Sequence, residues 1–169
     1  KRLPEAIRNR ALATSYFGGV YFSFEQTVEI DGLMDSFEKF ADRRSALVAP
    51  LLSAMSEAVN TVGKQFAQPM RLLNKDGFPK KLLVERTIRD RRYVISDLFF
   101  SWFRRYSDVS IARPGRHEVW HGDYREFLAS HSGGIGCIYA DPPYTIDHYS
   151  RFYHVLETVA QYDFPELAL

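Results

Sequence analysis

Cysteine is almost missing from this 169-residue chain, where Cys137 stands alone. A single thiol cannot close an internal disulfide, so the core must hold the fold, and a reducing cytoplasm suits it. A metal centre is missing as well: His121, His148 and His154 fit no compact ligand spacing. No apolar run approaches the ~20 residues that a membrane helix requires, and no signal peptide is visible. An excess of one charge is also lacking, since 22 Lys and Arg face 21 Asp and Glu for a formal net charge of +1. A dedicated nucleic-acid binder is usually visibly basic, so any basic footprint here must be local. There is no initiating Met before Lys1 and no obvious stop in Leu167-Ala168-Leu169; the sequence reads like a piece cut from a longer chain.

What is present is apolar and aromatic. Hydrophobic residues make up 46% and aromatic residues 15%, with 13 Phe and 10 Tyr. That excludes a charged disordered tail and supplies both core and flat surfaces for stacking. Residues 3–14 read as a short helix with Pro4 in its first turn. Gly18-Gly19 break it, and Ser23 with Gln26 three residues on is a capping-box signature. Val28, Ile30, Leu33, Phe37 and Phe40 then predict a helix to about Ala41. A second helical pattern covers Ser45 to Phe66, with Pro50 in its first turn. Residues 67–81, with Pro69, Asn74, Asp76, Gly77 and Pro79, read as a loop. A long helical stretch from about Leu82 to Tyr106, broken near Asp90, carries the apolar stripe Val94, Ile95, Leu98, Phe99, Trp102 and Phe103.

The character changes at Pro114-Gly115. Beyond it the pattern predicts a strand at 118–121, a helix from Tyr124 to about Ser130 and, after Ser132-Gly133-Gly134, a strand at 136–140. A final helix runs from near Tyr149 to Tyr162. A strand–helix–strand unit belongs to a mainly parallel sheet. The expected architecture is therefore α/β, a partial Rossmann-like core at 111–169 behind a mainly helical portion at 1–110.

Asp141-Pro142-Pro143-Tyr144 directly follows the second predicted strand. In open α/β sheets ligands bind beyond the carboxyl ends of strands. Two prolines fix two φ angles and remove two N–H donors, leaving a stiff corner with free carbonyls beside a carboxylate and an aromatic ring. An exocyclic amine has its lone pair delocalised into the base ring. A carboxylate and a fixed carbonyl that each accept one amine hydrogen offset the charge developing when that nitrogen attacks an electrophile. A flipped base also needs a flat surface, which a Tyr ring supplies. The plain structural alternative is a strand end, a Pro-Pro turn and a surface Tyr.

The run Ile138 to Tyr144 resembles the Asp-Pro-Pro-Tyr motif of amino-methylating DNA methyltransferases of the adenine-N6 type. Trp120-His121-Gly122-Asp123-Tyr124, with Phe127-Leu128, is similar to the strand and turn that precede the motif, and Asp123 lies 18 residues before Asp141. The run Tyr149 to Glu157 resembles the helix that follows it. Tyr16-Phe17-Gly18-Gly19-Val20-Tyr21-Phe22-Ser23 is similar to a segment of one bacterial branch. The resemblance implies transfer of a methyl group from S-adenosylmethionine to a flipped adenine in double-stranded DNA, in a bacterial or phage-encoded enzyme, with a cognate restriction endonuclease as a companion. It implies that Asp141 and the Pro142 carbonyl accept from the amine, that Pro143 stiffens the corner and that Tyr144 stacks on the base. Asp123, with Asp141, faces the target or the cofactor. One family feature is missing, since no Phe-x-Gly-x-Gly loop follows an apolar strand. Phe17-Gly18-Gly19 lacks both the strand before it and a helix opening directly after it; in the branch it resembles the cofactor loop lies upstream of this segment, so either the parent protein begins before Lys1 or this chain does not bind the cofactor well.

The loop 67–81 carries Arg71, Lys75, Lys80 and Lys81, which fit phosphate contacts; a solvated surface loop is the alternative. The Arg86–Arg92 run has acidic neighbours in Glu85 and Asp90, so ion pairing is its more natural duty. Tyr149, Phe152 and Tyr153 fit either the wall of a base pocket or ordinary helix packing. Two other functions remain open from the sequence: a DNA-binding module with a vestigial corner, and methylation of RNA or of a protein amide.

Overall fold

A computed structural model describes residues 11–64, 66, 68–112, 118–131, 133, 136–142 and 150–164. The elements in chain order are α1 (Leu12–Phe17), α2 (Phe24–Phe37), α3 (Arg44–Ala58), α4 (Lys81–Asp90), α5 (Ile95–Ala112), α6 (Tyr124–Ser130) and α7 (Ser150–Gln161). Short 3-10 segments at Glu38–Arg43 and Val62–Lys64 complete them.

Local chemistry sets most boundaries. Ser23 Oγ accepts from the Gln26 N–H at 3.2 Å, and Gln26 Oε1 accepts from the Ser23 N–H at 2.9 Å, which is the expected capping box at the start of α2. The rest of the Gln26 amide is buried and spent on a different junction: Nε2 donates to the carbonyls of Asp90 and Tyr93, both at 3.0 Å. Those carbonyls belong to the break between α4 and α5, so the break expected near Asp90 is held open by α2. Glu29 caps the next helix, accepting from the Ser96 N–H and hydroxyl, both at 2.8 Å.

The core is one cluster. Ile30, Met34 and Phe37 from α2, Leu51, Ala54 and Met55 from α3, and Ile95 and Phe99 from α5 are buried together with Leu12 and Phe17 of α1. The most extensive packing is between α3 and α5. Val155 and Val159 of α7 are fully buried in the same cluster. Burying each contributes about 1.5–3 kcal/mol. Arg44 Nη1 donates to the Ala160 carbonyl at 3.0 Å, a cation on the orphan carbonyls at the end of α7. Asp31 is the polar hinge of this region. Its carboxylate accepts from the N–H groups of Ala13 (2.8 Å) and Thr14 (3.0 Å), the Thr14 hydroxyl (2.7 Å) and the Tyr162 hydroxyl (2.8 Å).

The expected partial Rossmann-like α/β core is overturned. Among the described residues there is no strand, only the isolated bridges Gly18–Phe22, Thr61–Pro69 and Leu73–Pro79. The two stretches read as strands, 118–121 and 136–140, are extended but irregular, and all their residues are exposed. An apolar stretch becomes a strand only when a neighbouring strand takes up its N–H and C=O groups, and no described segment does so. Val119 is 98% and Tyr139 86% exposed.

Several boundaries also move. The first helix runs on to Phe17, and residues 3–10 lie outside the described residues. The helix α2 stops at Phe37, and the 3-10 segment that follows it is kinked at Phe40. The helix expected to reach Phe66 ends at Ala58, because Val59 turns to ψ 136° and the Asn60 N–H is taken by the Tyr21 carbonyl at 2.9 Å. Pro50 is buried inside that helix rather than in its first turn. The helix expected to end at Tyr106 continues to Ala112.

Candidate active site and nucleic-acid interface

Asp141 and Pro142 lie on an exposed, irregular segment that follows the exposed stretch 136–140. Pro143 and Tyr144 fall outside the described residues, as do His148 and Tyr149. The helix after the tetrad is firmly placed: α7 begins at Ser150 and its Val155 and Val159 enter the core. Its outer side carries Tyr153, half exposed, while Phe152 is partly buried.

Asp123 serves first as a helix cap. Its side chain accepts from the Arg125 N–H at 2.9 Å at the start of α6. The Arg125 guanidinium engages both carboxylate oxygens, with Nη2–Oδ2 at 2.6 Å and Nε–Oδ1 at 3.0 Å. The guanidinium first, and the backbone N–H second, hold this carboxyl below the usual carboxylate range. Asp123 is thus a fixed anion at neutral pH with acceptor capacity to spare, which suits hydroxyl or ammonium donors. Arg125 was not singled out from the sequence; its place two residues after an N-capping Asp was the available signal.

The basic loop and the Arg-rich helix turn out to differ in kind. Arg71, Lys75, Lys80 and Lys81 are exposed and form no ion pair with any described residue. In α4, Arg86 and Arg89 lie 3.5 and 3.6 Å from the buried Asp90 carboxylate, and Arg86 Nη2 also donates to the Thr61 carbonyl. Arg91 Nη2 donates to the Gly19 carbonyl at 2.8 Å. Arg86 and Arg91 are committed to the fold and Arg89 lies at Asp90 with its side chain mostly exposed, while Arg71, Lys75, Lys80 and, at the first position of α4, Lys81 are available to an anionic partner.

The glycine pair is a structural turn. Gly19 takes φ 77°, and a Cβ on Gly18 would come 2.7 Å from the Thr14 carbonyl oxygen. The N–H groups of Val20 and Tyr21 turn back to the Phe17 carbonyl. Phe17 and Tyr21 pack edge-on against His154 of α7, and the Tyr21 hydroxyl lies 3.4 Å from His154 Nε2. This segment thereby braces the helix that follows the tetrad. His121 is exposed, and no cluster of metal-ligating side chains occurs among the described residues.

A tetrad of this chemistry marks a class of enzyme, and comparison with known proteins agrees. Residues 111–169 match the family model of D12 class N6 adenine-specific DNA methyltransferases. The resemblance carried by Asp141-Pro142-Pro143-Tyr144 is therefore borne out over the segment that contains it. Over 155 residues, or 88% of its length, the chain is 28% identical to modification methylase LlaI of Lactococcus lactis subsp. lactis. It spans 21% of that relative's length. No solved structure matches the chain significantly. No helix among the described residues is long and apolar enough to cross a membrane.

Proposed function

We propose that this chain is part of a DNA adenine-N6 methyltransferase that modifies a flipped adenine in duplex DNA. The observation that carries the reading is the Asp-Pro-Pro-Tyr corner lying within the matched segment 111–169. In this reading the Asp141 carboxylate and the Pro142 carbonyl each accept a hydrogen of the target amine, Pro143 keeps the corner stiff, and Tyr144 stacks on the base. The anionic Asp123, together with Asp141, offers acceptors to S-adenosylmethionine, which supplies the activated methyl group when bound. Residues 1–110 form the helical portion that carries a DNA-recognition insert around 67–92, in which Arg71, Lys75, Lys80 and Lys81 take phosphates. Residues 111–169 contribute the reaction corner. A cognate restriction endonuclease and a cytoplasmic setting belong to the same proposal.

The direct test uses the full-length protein that contains these residues. Asp141→Ala should abolish methyl transfer to duplex DNA and leave duplex binding within about threefold of wild type, since phosphate contacts dominate affinity. Retained turnover would overturn the assignment of Asp141. Calorimetry with S-adenosylmethionine separates the enzyme, which binds it, from a DNA-binding module with a vestigial corner, which does not.

A further inference from the structure

No residue of α4 belongs to the apolar core cluster. Polar groups tie this helix to the rest of the fold, and two of the ties converge on one short turn. Arg91, directly after α4, donates from Nη2 to the Gly19 carbonyl at 2.8 Å. Within α4 the Thr87 hydroxyl shares its hydrogen between the Leu83 carbonyl (2.8 Å) and Asn60 Oδ1 (3.1 Å). The Asn60 N–H in turn donates to the Tyr21 carbonyl at 2.9 Å. The turn at Phe17–Phe22 is thus gripped at two carbonyls from the α4 side.

The same turn also meets α7. The rings of Phe17 and Tyr21 lie edge-on to His154, with centroids 6.5 and 5.8 Å away, and the Tyr21 hydroxyl lies 3.4 Å from His154 Nε2. The helix that carries His154 opens at Ser150, six residues after Tyr144. One turn therefore touches both the end of the basic segment and the helix that follows the tetrad. The turn itself is stiff, since φ 77° at Gly19 and the close approach of Gly18 to Thr14 leave it few other shapes. Its ties to α4 are releasable. Arg91 Nε is buried with no acceptor among the described residues, and that orphaned donor weakens the seat Arg91 takes. A stiff element held by breakable polar bonds lets a shift at one end reach the other.

We infer that Arg91 and Asn60 are positioning residues, which through the Phe17–Phe22 turn couple duplex engagement at α4 to the setting of α7 and of the Asp141 corner that precedes it. The inference rests on the DNA-methyltransferase reading. A duplex held by Lys80 and Lys81 steadies α4. Arg91 and Asn60 pass that constraint to the turn, and Tyr21 and His154 pass it on to α7.

The test is hydrogen exchange on the full-length protein with and without duplex DNA, joined to turnover. Duplex should slow exchange of the α7 amides in wild type about fivefold or more, the lower end of usual coupling strengths. In Arg91→Ala the α4 amides should still slow on adding duplex, and the α7 amides should not. The same variant should lose about fivefold in kcat, while KM for duplex and the slope of affinity against salt stay near wild type. Arg91→Lys, which keeps a donor for the Gly19 carbonyl, should restore most of the loss. Tyr21→Phe should mimic it, and the double variant should lose no more than either single one, as members of one network do. Should Arg91→Ala not fold, Tyr21→Phe carries the same exchange test. Duplex protection of α7 that persists in these variants, or additive losses in the double one, overturns the coupling. A reduced salt slope with normal kcat in Arg91→Ala overturns it too, since Arg91 would then be a phosphate contact. A wild-type protein that methylates duplex without protecting α7 removes the coupling alone. One that protects α7 on duplex but transfers no methyl group removes the enzyme reading and leaves the coupling standing.

Discussion

The Tyr162 hydroxyl donates to Asp31 Oδ1 at 2.8 Å and so joins residues 131 positions apart in sequence. Tyr162 sits just past α7 with φ 53°, a left-handed conformation that a bulky residue adopts only when its surroundings hold it there. The bond fixes the end of α7 against the start of α1, because the same carboxylate also takes the Ala13 and Thr14 N–H groups. Asp31→Ala strands those donors and should cost about 3 kcal/mol in urea denaturation, whereas Tyr162→Phe, which leaves the backbone donors satisfied, should cost about 1–2 kcal/mol.

A pH signature follows from the same pair. Burial first, and the Asp31 contact second, push the Tyr162 phenol well above its ordinary value. The native state then keeps a proton that the unfolded chain releases near pH ~10. The contribution is fully present below that pH and is lost as pH rises towards the folded value. Melting temperature should fall less steeply above about pH 10 in Tyr162→Phe than in wild type. Equal slopes would show that the phenol does not titrate with unfolding.

Gln26 joins three elements with one amide. Gln26→Glu keeps the acceptor for the Ser23 N–H but turns a carboxylate onto the Asp90 and Tyr93 carbonyls, which Nε2 now serves. We expect Gln26→Glu to cost about 2–4 kcal/mol at neutral pH, with part of the loss recovered near pH ~4 when the side chain protonates. Hydrogen exchange of the Arg91 and Arg92 amides, next to those carbonyls, should quicken in parallel. A neutral substitution would mean that the break between α4 and α5 does not depend on α2.

The two neighbouring glycines are required for different reasons, and alanine scanning should separate them. Gly19→Ala places a side chain at φ 77°, a cost of about 1 kcal/mol. Gly18→Ala brings a Cβ to 2.7 Å from a backbone oxygen that cannot swing away, so about 2–3 kcal/mol is expected. If Gly19→Ala proves the more damaging, the close approach to Thr14 is not what fixes the turn.

Substitution of the lysines at the start of α4 and of the arginines further along it should affect salt dependence differently. In the full-length protein, Lys80→Ala and Lys81→Ala should each reduce the slope of log affinity for duplex DNA against log salt by about 0.9. Arg86→Ala should leave that slope unchanged, because its guanidinium is held between Asp90 and the Thr61 carbonyl. Equal effects at all three positions would refute the division between them.

Helix positions were largely legible because their signals are local. Ser23 with Gln26, the Asp90 break, the α6 boundaries and the stripe through Ile95 and Phe99 can be read from a few residues each. The tetrad stands out for the same reason, as a local run of two prolines between a carboxylate and an aromatic ring. The failures were long-range. Whether 118–121 and 136–140 pair as strands depends on a neighbour that the stretches themselves do not encode. The end of α3 depends on the Tyr21 carbonyl, and the division between loop lysines and helix arginines depends on where Asp90 is buried. Arg125 was overlooked because an exposed cation two residues from an acid is ordinary in sequence, and only its two contacts to the Asp123 carboxylate give it meaning.

The burial of Val155 and Val159 beside Leu12 and Met55 makes α7 a plug as well as a sequel to the tetrad. The segment between Ala112 and Ser150 is accordingly moored at both ends to one core, by α5 and by α7. Its mooring on the α7 side rests on side-chain contacts and not on chain continuity alone. A single cut of the backbone between these helices should therefore release nothing: the severed α7 would stay seated while the core stands, and would come away only when the core melts.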